Sequence, residues 1–152
     1  MTIEIEIQGL EEAQARLGTD ILGVITPALT RSVLRMEGAM KVYPPPPGDG
    51  EWAANTTPRQ RRAFFALLRR GAISGRRTGT LGRRWTHRVQ RGADQVLAEV
   101  GNNTEYGPFV QSKLFQARFH RGRWQTDQVV MEAELPRLVA DVEGDLRRAF
   151  EE

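Results

Sequence analysis

Residues 84–100 read RWTHRVQRGADQVLAEV, which is the clearest β-hairpin pattern in the chain. Apolar or aromatic residues alternate with polar ones over residues 84–89 and again over residues 95–100. A period of two is typical of a strand that buries one face. Gly92, Ala93 and Asp94 lie between the two runs and predict the turn. We therefore expect two antiparallel strands joined by a short turn.

A third strand is predicted at the N-terminus, where Ile3, Ile5 and Ile7 alternate with acidic or amide residues and Gly9 ends the pattern. Each of these strands has a single apolar face, which has to be covered by another layer. The predicted fold class is therefore α+β. A small antiparallel sheet, made of the N-terminal strand and the central hairpin, packs against long helices, and extended loops connect the elements.

Two helices are predicted between the first strand and residue 42. The first covers residues 10–17, and glycine follows it at its C-terminal end. The second lies within residues 19–42 and contains Pro27. Either Thr26 caps a new helix that starts at this proline, or the helix kinks there. The apolar stripe of this helix consists of Leu29, Val33, Met36 and Met40.

Further helices are predicted in the second half of the chain. A basic helix starts at Thr57 and Pro58, a short helical turn covers residues 106–111, and a long helix runs from about residue 126 to 150. Pro136 is expected to bend or split the long helix. The buried side of the basic helix is predicted to be Phe64, Phe65, Leu67 and Leu68. The apolar set of the long helix is Val130, Leu135, Leu138, Val142, Leu146 and Phe150.

The length of 152 residues predicts one domain over residues 1–152, with a proline-rich loop at 44–57. The absence of cysteine excludes disulfides and thiolate metal sites. No apolar run approaches the roughly 18 residues that span a bilayer, so no membrane partner is expected. The N-terminus lacks the basic segment of a signal peptide, which predicts that the protein is made in the cytoplasm.

Charge is sorted along the sequence. No acidic residue lies between Glu51 and Asp94, and that stretch contains eleven arginines, whereas residues 1–51 and 127–152 hold eight acidic residues each. Three interpretations follow: a nucleic-acid surface, pairing with the acidic flanks of a neighbouring copy, or a solvated face without a partner. Composition alone does not distinguish among these three interpretations. The candidate interface arginines are Arg59, Arg61, Arg62, Arg69, Arg70, Arg76, Arg77, Arg83, Arg84, Arg118, Arg121 and Arg123.

Catalytic motifs are not evident in the sequence, which has no nucleophile elbow, zincin helix or phosphate loop. We expect no enzyme activity, cofactor or metal. His87 lies in a predicted strand and is assigned a packing or surface role. His120 is surrounded in sequence by arginines, which should lower its pKa. Glu132 and Asp141 on the last helix are expected to be solvated.

Three segments occur in an order that resembles a known family. They are R-T-G-x-L at residues 77–81, W-T at residues 85–86, and V-G-N-x-x-x-Y-x-x-x-V-Q at residues 100–111. Together with a strand at the N-terminus, a pair of helices that ends at Tyr43 and Pro44, and a long C-terminal helix, they resemble the tail-completion (head–tail joining, minor tail protein Z-like) family of long-tailed bacteriophages over most of the chain. The four-proline run and the long insertion after it depart from that family. The residues assigned to the turn and core of the motif are Gly79, Leu81, Trp85, Gly101, Asn102 and Tyr106.

The resemblance implies a structural protein of the virion neck or tail, present as a ring that is expected to be a hexamer. Its implied partners are further copies of itself, connector or neck proteins, and tail-tube or tail-terminator proteins. Double-stranded DNA would pass through the lumen without sequence-specific binding.

Under this interpretation the arginines face neighbouring subunits, because a bore lined with arginine would hold phosphates and slow the DNA. Tyr106 and Phe109 are expected to pack the last helix on the sheet. Residues 44–57 and 112–125 are expected to become ordered on assembly. The alternatives are a basic nucleic-acid-binding module and a small metal-free nuclease that uses His120.

Overall fold

The computed structural model describes residues 1–6, 15, 20–45, 57–70 and 79–151. The predicted helix at 10–17, apart from Ala15, lies outside the described residues, as do residues 46–56 of the proline-rich loop. In chain order, the described elements are β1 (Thr2–Glu6), α1 (Ile21–Met40), α2 (Pro58–Arg69), α3 (Thr80–Arg83), β2 (Trp85–Arg91), β3 (Gln95–Asn102), α4 (Gly107–Gln111), a 3-10 turn (Arg118–His120) and α5 (Asp127–Glu151).

The three strands form one antiparallel sheet in the order β1–β3–β2. Ala98 at the centre pairs with Ile3 on one side and with Val89 on the other, so apolar residues of all three strands share a face. The predicted α+β fold is confirmed. Strands β2 and β3 each extend two residues beyond their predicted ends, because the ladder continues to the Arg91–Val96 pair at one end and to the Trp85–Asn102 pair at the other.

Helix α1 covers the apolar face of the sheet and supplies most of the core. Its predicted stripe is confirmed, since all four of these side chains are 1% exposed or less. They pack with the inward residues of β3 and with the inner face of α5. The principal packing pairs among the described elements are α1 with α5, α1 with β2, and α1 with β3. The core residues on β3 and α5 are Val96, Ala98, Val100, Val130 and Leu138.

Pro27 and Pro136, at which a break or a bend of the helix was predicted, both lie inside continuous helices. Helix α1 begins after Asp20, whose carboxylate accepts a hydrogen bond from the Gly23 amide at 3.1 Å, and it continues through Pro27. A new start at Thr26 is therefore wrong, and the hydroxyl of Thr26 donates instead to the Leu22 carbonyl at 2.6 Å. Helix α5 is likewise unbroken at its proline. None of the described helices is both long and apolar enough to cross a membrane.

Ion pairs join α1 to the inner face of α5. Arg35 donates from Nε to Glu134 Oε1 at 2.7 Å and from Nη2 to Asp141 Oδ2 at 2.7 Å. One turn away, Arg31 Nη2 donates to Asp145 Oδ2 at 2.7 Å. The prediction that Asp141 is solvated is therefore wrong, because its carboxylate is half-buried against Arg35.

These ion pairs change the acidity of the groups involved. A hydrogen bond from Arg31 holds the pKa of Asp145 below its usual value, although partial burial acts in the opposite direction. Glu134 raises the pKa of Arg35, again against the effect of burial. Because Glu134 is only 4% exposed, its charge depends on Arg35 for compensation.

Replacing Arg35 by methionine should destabilise the protein by about 3 kcal/mol, because the buried carboxylate of Glu134 loses its main partner. Chemical denaturation with urea measures the change. The double variant Arg35→Met/Glu134→Leu should recover part of the loss, since both charges are then absent. Arg137→Ala, at an exposed position of α5, should change the free energy of unfolding by less than about 0.5 kcal/mol. Equal changes in the free energy of unfolding for Arg35→Met and Arg137→Ala would contradict the assignment of Arg35 as the main partner of Glu134.

Candidate functional site

The segments that carry the family resemblance meet at one hydrogen-bonded cluster, which we call the junction. Its members come from the chain after α1, from α3, from the start of β2, from the end of β3 and from α4. Trp85 Nε1 donates to Gln111 Oε1 at 3.0 Å, and Asn102 Nδ2 donates to the Leu81 carbonyl at 2.8 Å. The junction comprises Tyr43, Leu81, Trp85, Asn102 and Gln111.

Two hydrogen bonds tie the C-terminal end of α1 to the junction. Gln111 Nε2 donates to the Met40 carbonyl at 2.8 Å, and the Tyr43 hydroxyl accepts from the Gly82 amide at 2.9 Å. Gln111 is 2% exposed, so its amide satisfies two buried polar groups at once. The family-like segments are thereby fixed to the helix that organises the core.

Two glycines permit the tight course of the chain at this cluster. Gly79 adopts a φ of +70°, a conformation that side chains other than glycine rarely take, and it precedes α3 directly. Gly82 favours close approach, because a Cβ there would lie 3.0 Å from the Tyr43 ring and the ring would have to shift. Leu81, between them, is buried at 4% exposure. Arg77 and Thr78, which begin the R-T-G-x-L segment, lie outside the described residues.

Asn102 organises the connection from β3 to α4. Its Oδ1 accepts hydrogen bonds from the Thr104 amide at 3.0 Å and from the Thr104 hydroxyl at 2.6 Å. A Cβ on Gly107 would lie 2.9 Å from the Thr104 hydroxyl oxygen, so the N-terminus of α4 also needs a glycine. The side chain of Asn102 therefore sets the direction in which α4 leaves the sheet.

Gly101 and Tyr106, which were assigned to the motif core, are exposed. Phe109 is 56% exposed and does not pack α5 on the sheet, so that prediction is wrong as well. Helix α4 is short, and its inward face is occupied by Val110 and Gln111, which turns the side chain of Phe109 to the outside. Four large apolar side chains in residues 106–115 are therefore exposed: Tyr106, Phe109, Leu114 and Phe115.

Gln111 and Tyr43 are junction residues to which the sequence assigned no individual role. A signal for Gln111 was available, because a buried tryptophan needs an acceptor for its indole N–H. The sequence offered no means of choosing this amide over other polar groups. Tyr43 entered the resemblance only as the residue at which the pair of helices ends.

Helix α2 exposes three of the four residues that were predicted to be its buried side, and the side chain of the fourth, Leu68, lies outside the described part of the structure. Phe64 is 38% exposed, Phe65 48% and Leu67 42%, so the prediction is wrong for these three side chains. Helix α2 belongs to none of the principal packing pairs among the described elements. Its arginines Arg59, Arg62 and Arg69, and Arg70 just beyond its end, are exposed, and Arg61 is half-buried.

The other candidate arginines are dispersed over the molecule. Arg83, Arg84, Arg118 and Arg121 are exposed, and Arg123 donates to the Pro45 carbonyl at 2.8 Å. Arg76 and Arg77 lie outside the described residues.

One arginine of the acid-free stretch pairs within its own chain. Arg91 donates to both carboxylate oxygens of Asp20, at 2.7 and 2.5 Å, and these bonds lower the pKa of Asp20. The charges that are separated in sequence therefore meet in space within one copy at this position.

The two histidines occupy different environments. His87 Nδ1 and Lys41 Nζ each bond to one carboxylate oxygen of Glu37 on α1. Burial raises the pKa of Glu37, but the hydrogen bonds from Lys41 and His87 outweigh it and hold this pKa below its usual value. This contact joins β2 to α1 and gives His87 a structural role.

The His120 ring packs edge-on against the Trp124 ring, with ring centroids 6.1 Å apart. The Trp124 ring also packs edge-on against the Tyr43 ring, with centroids 4.9 Å apart. Burial and, secondarily, the positive charge of Arg123 lower the pKa of His120 to about 4. The imidazole is therefore neutral at pH 7. In the part of the chain that the structure describes, no group of three or more metal-ligating side chains could hold an ion.

The lowered pKa of His120 should make stability fall as the pH decreases from 7 to 5. Below pH 6.5 the unfolded chain binds a proton that the folded chain accepts only near pH 4. After allowance for solvent exposure, the free energy of unfolding should fall by about 1 kcal/mol, which corresponds to about 3 °C in Tm. Thermal melts at both pH values should show a smaller loss for His120→Asn, in which the His87–Glu37 contact is retained. An equal loss of stability in the wild type and in His120→Asn would contradict the assignment of this pH dependence to His120.

Replacing Gln111 by alanine should lower the free energy of unfolding by about 2 kcal/mol, because the Trp85 indole N–H and the Met40 carbonyl both lose their partner. Urea denaturation followed by tryptophan fluorescence measures this. Gln90→Ala, at an exposed position of β2, is the matched control and should cost less than about 0.5 kcal/mol. Similar costs for the two variants would mean that the junction contributes little to stability.

Comparison with known proteins assigns no family to this arrangement. No protein-family model, curated protein or solved structure matches the chain. Its function has to be inferred from its own residues, contacts and charge distribution.

Proposed function

We propose that the chain is a structural virion protein of the head–tail interface of a tailed bacteriophage. Its copies form a ring, with six-fold symmetry as the natural arrangement, that completes or joins the tail and surrounds the DNA passage. Its partners are further copies of itself, connector or neck proteins on the head side, and tail-tube or tail-terminator proteins on the other. It is made in the host cytoplasm and resides in the neck or tail of the particle.

The observation that carries this proposal is the number of large apolar side chains that are exposed to solvent in the described parts of the chain. Separate exposed surfaces lie on α2, on the outer side of α5, and on residues 106–115, where Leu114 is 82% exposed and Phe115 63%. Exposed clusters of large apolar side chains mark sites of protein association. A ring protein that also contacts rings above and below it needs several such surfaces.

The junction supports the same proposal. The described parts of the three family-like segments, which are spread from Gly79 to Gln111, hydrogen-bond to one another and to the end of α1. The resemblance therefore concerns residues that form one folded unit. The exposed side chains Tyr106, Phe109, Leu114 and Phe115 lie on or next to this unit.

Charge favours protein partners over phosphate for the basic stretch. In α2 the arginines flank exposed phenylalanine and leucine side chains. A combination of apolar centre and charged rim is typical of protein–protein interfaces. Arg91 is already paired with a carboxylate of its own chain.

Native mass spectrometry of the purified chain at micromolar concentration should show a closed ring, with a hexamer as the expected species. Filter binding with double-stranded DNA should show only weak binding at physiological salt. The opposite pair of results, a monomer that binds DNA tightly with a steep salt dependence, would contradict the proposal and favour a nucleic-acid-binding module.

A further inference from the structure

We infer that the cleft between residues 113–125 and the start of α5 binds an acidic segment of a partner protein. The bound segment is extended and about six residues long, with carboxylate side chains at both ends and apolar side chains at its centre. All residues that form the cleft belong to a single copy. This binding therefore goes beyond the proposed function and does not require the ring.

The cleft lies where the chain passes from the 3-10 turn into α5, and its volume is about 600 Å³. Ligand clefts in proteins typically have volumes of about 300–1,000 Å³. Among the described residues that line it, Lys113, Arg121 and Arg123 are cationic and none is acidic. The carboxylate of Asp127, at the start of α5, is occupied by the amides of Lys113 and Gln128, each at 2.8 Å. The wall of the cleft is therefore positively charged.

Two of these cations are available to a ligand. Lys113 and Arg121 are exposed, and neither forms an ion pair within the described part of the chain. Arg121 Nε donates to the Gln116 carbonyl at 3.4 Å, which orients the guanidinium against the wall of the cleft. Arg123, in contrast, is held by the Pro45 carbonyl at 2.8 Å. Lys113 and Arg121 are therefore the side chains that can pair with carboxylates of a partner.

The buried side chain of Gln116 holds the wall of the cleft together. Gln116 is 7% exposed, and its Nε2 donates to the Val110 carbonyl at 2.8 Å and to the Trp124 carbonyl at 3.2 Å. Gly122 adopts a φ of +74°, which lets the chain turn sharply between the two arginines that flank it. These contacts give the cleft a defined shape within one copy.

An acceptor in the cleft favours a peptide over the phosphate backbone of DNA. The orientation of the Gln116 amide is settled, because its Nε2 meets two carbonyl oxygens. Its Oε1 accepts no hydrogen bond from the described residues and is reached by solvent. A peptide can donate a backbone N–H to this oxygen, whereas the phosphate backbone of DNA offers only acceptors.

The cleft continues as a smaller groove of about 200 Å³ between α5 and α1. The two cavities share Gln125 and Val129 in their linings. Val129 is 50% exposed, and Ala133 lines the groove one turn further along α5, so the floor is apolar at this point. Arg137, at the far end, is exposed and forms no ion pair within the described chain. The combined groove is therefore apolar at its centre and cationic at both ends.

The spacing of the charges sets the length of the bound segment. Thr126, in the lining of the cleft, and Arg137 are eleven positions apart on the chain, which corresponds to about 16 Å along a helix. An extended peptide rises about 3.3 Å per residue, so about six residues span this distance. Arg35 and Glu134 also line the groove but pair with each other, so together they add no net charge. The free cations at the two ends thus require carboxylates at the two ends of the segment.

Fluorescence anisotropy with labelled peptides at physiological salt tests the inference. The wild type should bind the peptide EEVLEE saturably. It should bind QQVLQQ and EESSEE at least about tenfold more weakly, because the first lacks the carboxylates and the second lacks the apolar centre. No binding of EEVLEE, or equal binding of all three peptides, would overturn the inference.

Charge reversal at the ends of the groove tests where the peptide binds. The variants Lys113→Glu/Arg121→Glu and Lys113→Glu/Arg137→Glu should each bind EEVLEE at least about tenfold more weakly than the wild type. The second variant changes two exposed side chains, so its thermal melt should match that of the wild type. The control Arg84→Glu/Arg147→Glu reverses two exposed charges outside the groove and should bind the peptide like the wild type. Groove variants that bind EEVLEE as tightly as the wild type would overturn the inference.

A short DNA duplex distinguishes a peptide site from a phosphate site. If the wild type binds the duplex more tightly than EEVLEE and the same charge reversals abolish this binding, the cleft is a phosphate site and the inference is overturned. Native mass spectrometry of the same proteins separates this result from the proposed function. Groove variants that lose the peptide but assemble like the wild type support the inference, and a monomeric wild type that binds EEVLEE contradicts the ring alone.

Discussion

The burial of Glu134 beneath Arg35 constrains the rest of the molecule. A carboxylate that is 4% exposed is stable only with a close cationic partner, and Arg35 on α1 is that partner. Because Asp145 pairs with Arg31 on the same side of α5, the rotation of this long helix about its axis is fixed at two levels. The direction in which the opposite side of α5 faces is determined at the same time. The polar contacts inside the fold thus decide which acidic residues reach the solvent.

Helix α1 transmits this constraint to the other elements. One side of it carries the arginines that hold α5, and another side covers the sheet with buried leucine, valine and methionine. Its C-terminal end is held by the amide of Gln111 and by the Tyr43 hydroxyl, which bind the turn after Gly79 and helix α4 into the same unit. Displacement of α1 would therefore disturb the core and the junction together. The exposed surface at residues 106–115 owes its position to this connection.

Sequence periodicity predicted the sheet, the hairpin and the stripe of α1, because in these elements burial depends on spacing along a single strand or helix. Periodicity failed to predict burial where burial depends on which other element packs against the helix. The phenylalanines of α2 were predicted to lie on its buried side, but Phe64 is 38% exposed and Phe65 48%. Asp141 is paired with an arginine 106 positions away, a contact that no local pattern reveals. The junction was predictable in part, since Leu81, Trp85 and Asn102 lie in recognisable segments, whereas the choice of Gln111 as the acceptor depends on tertiary placement.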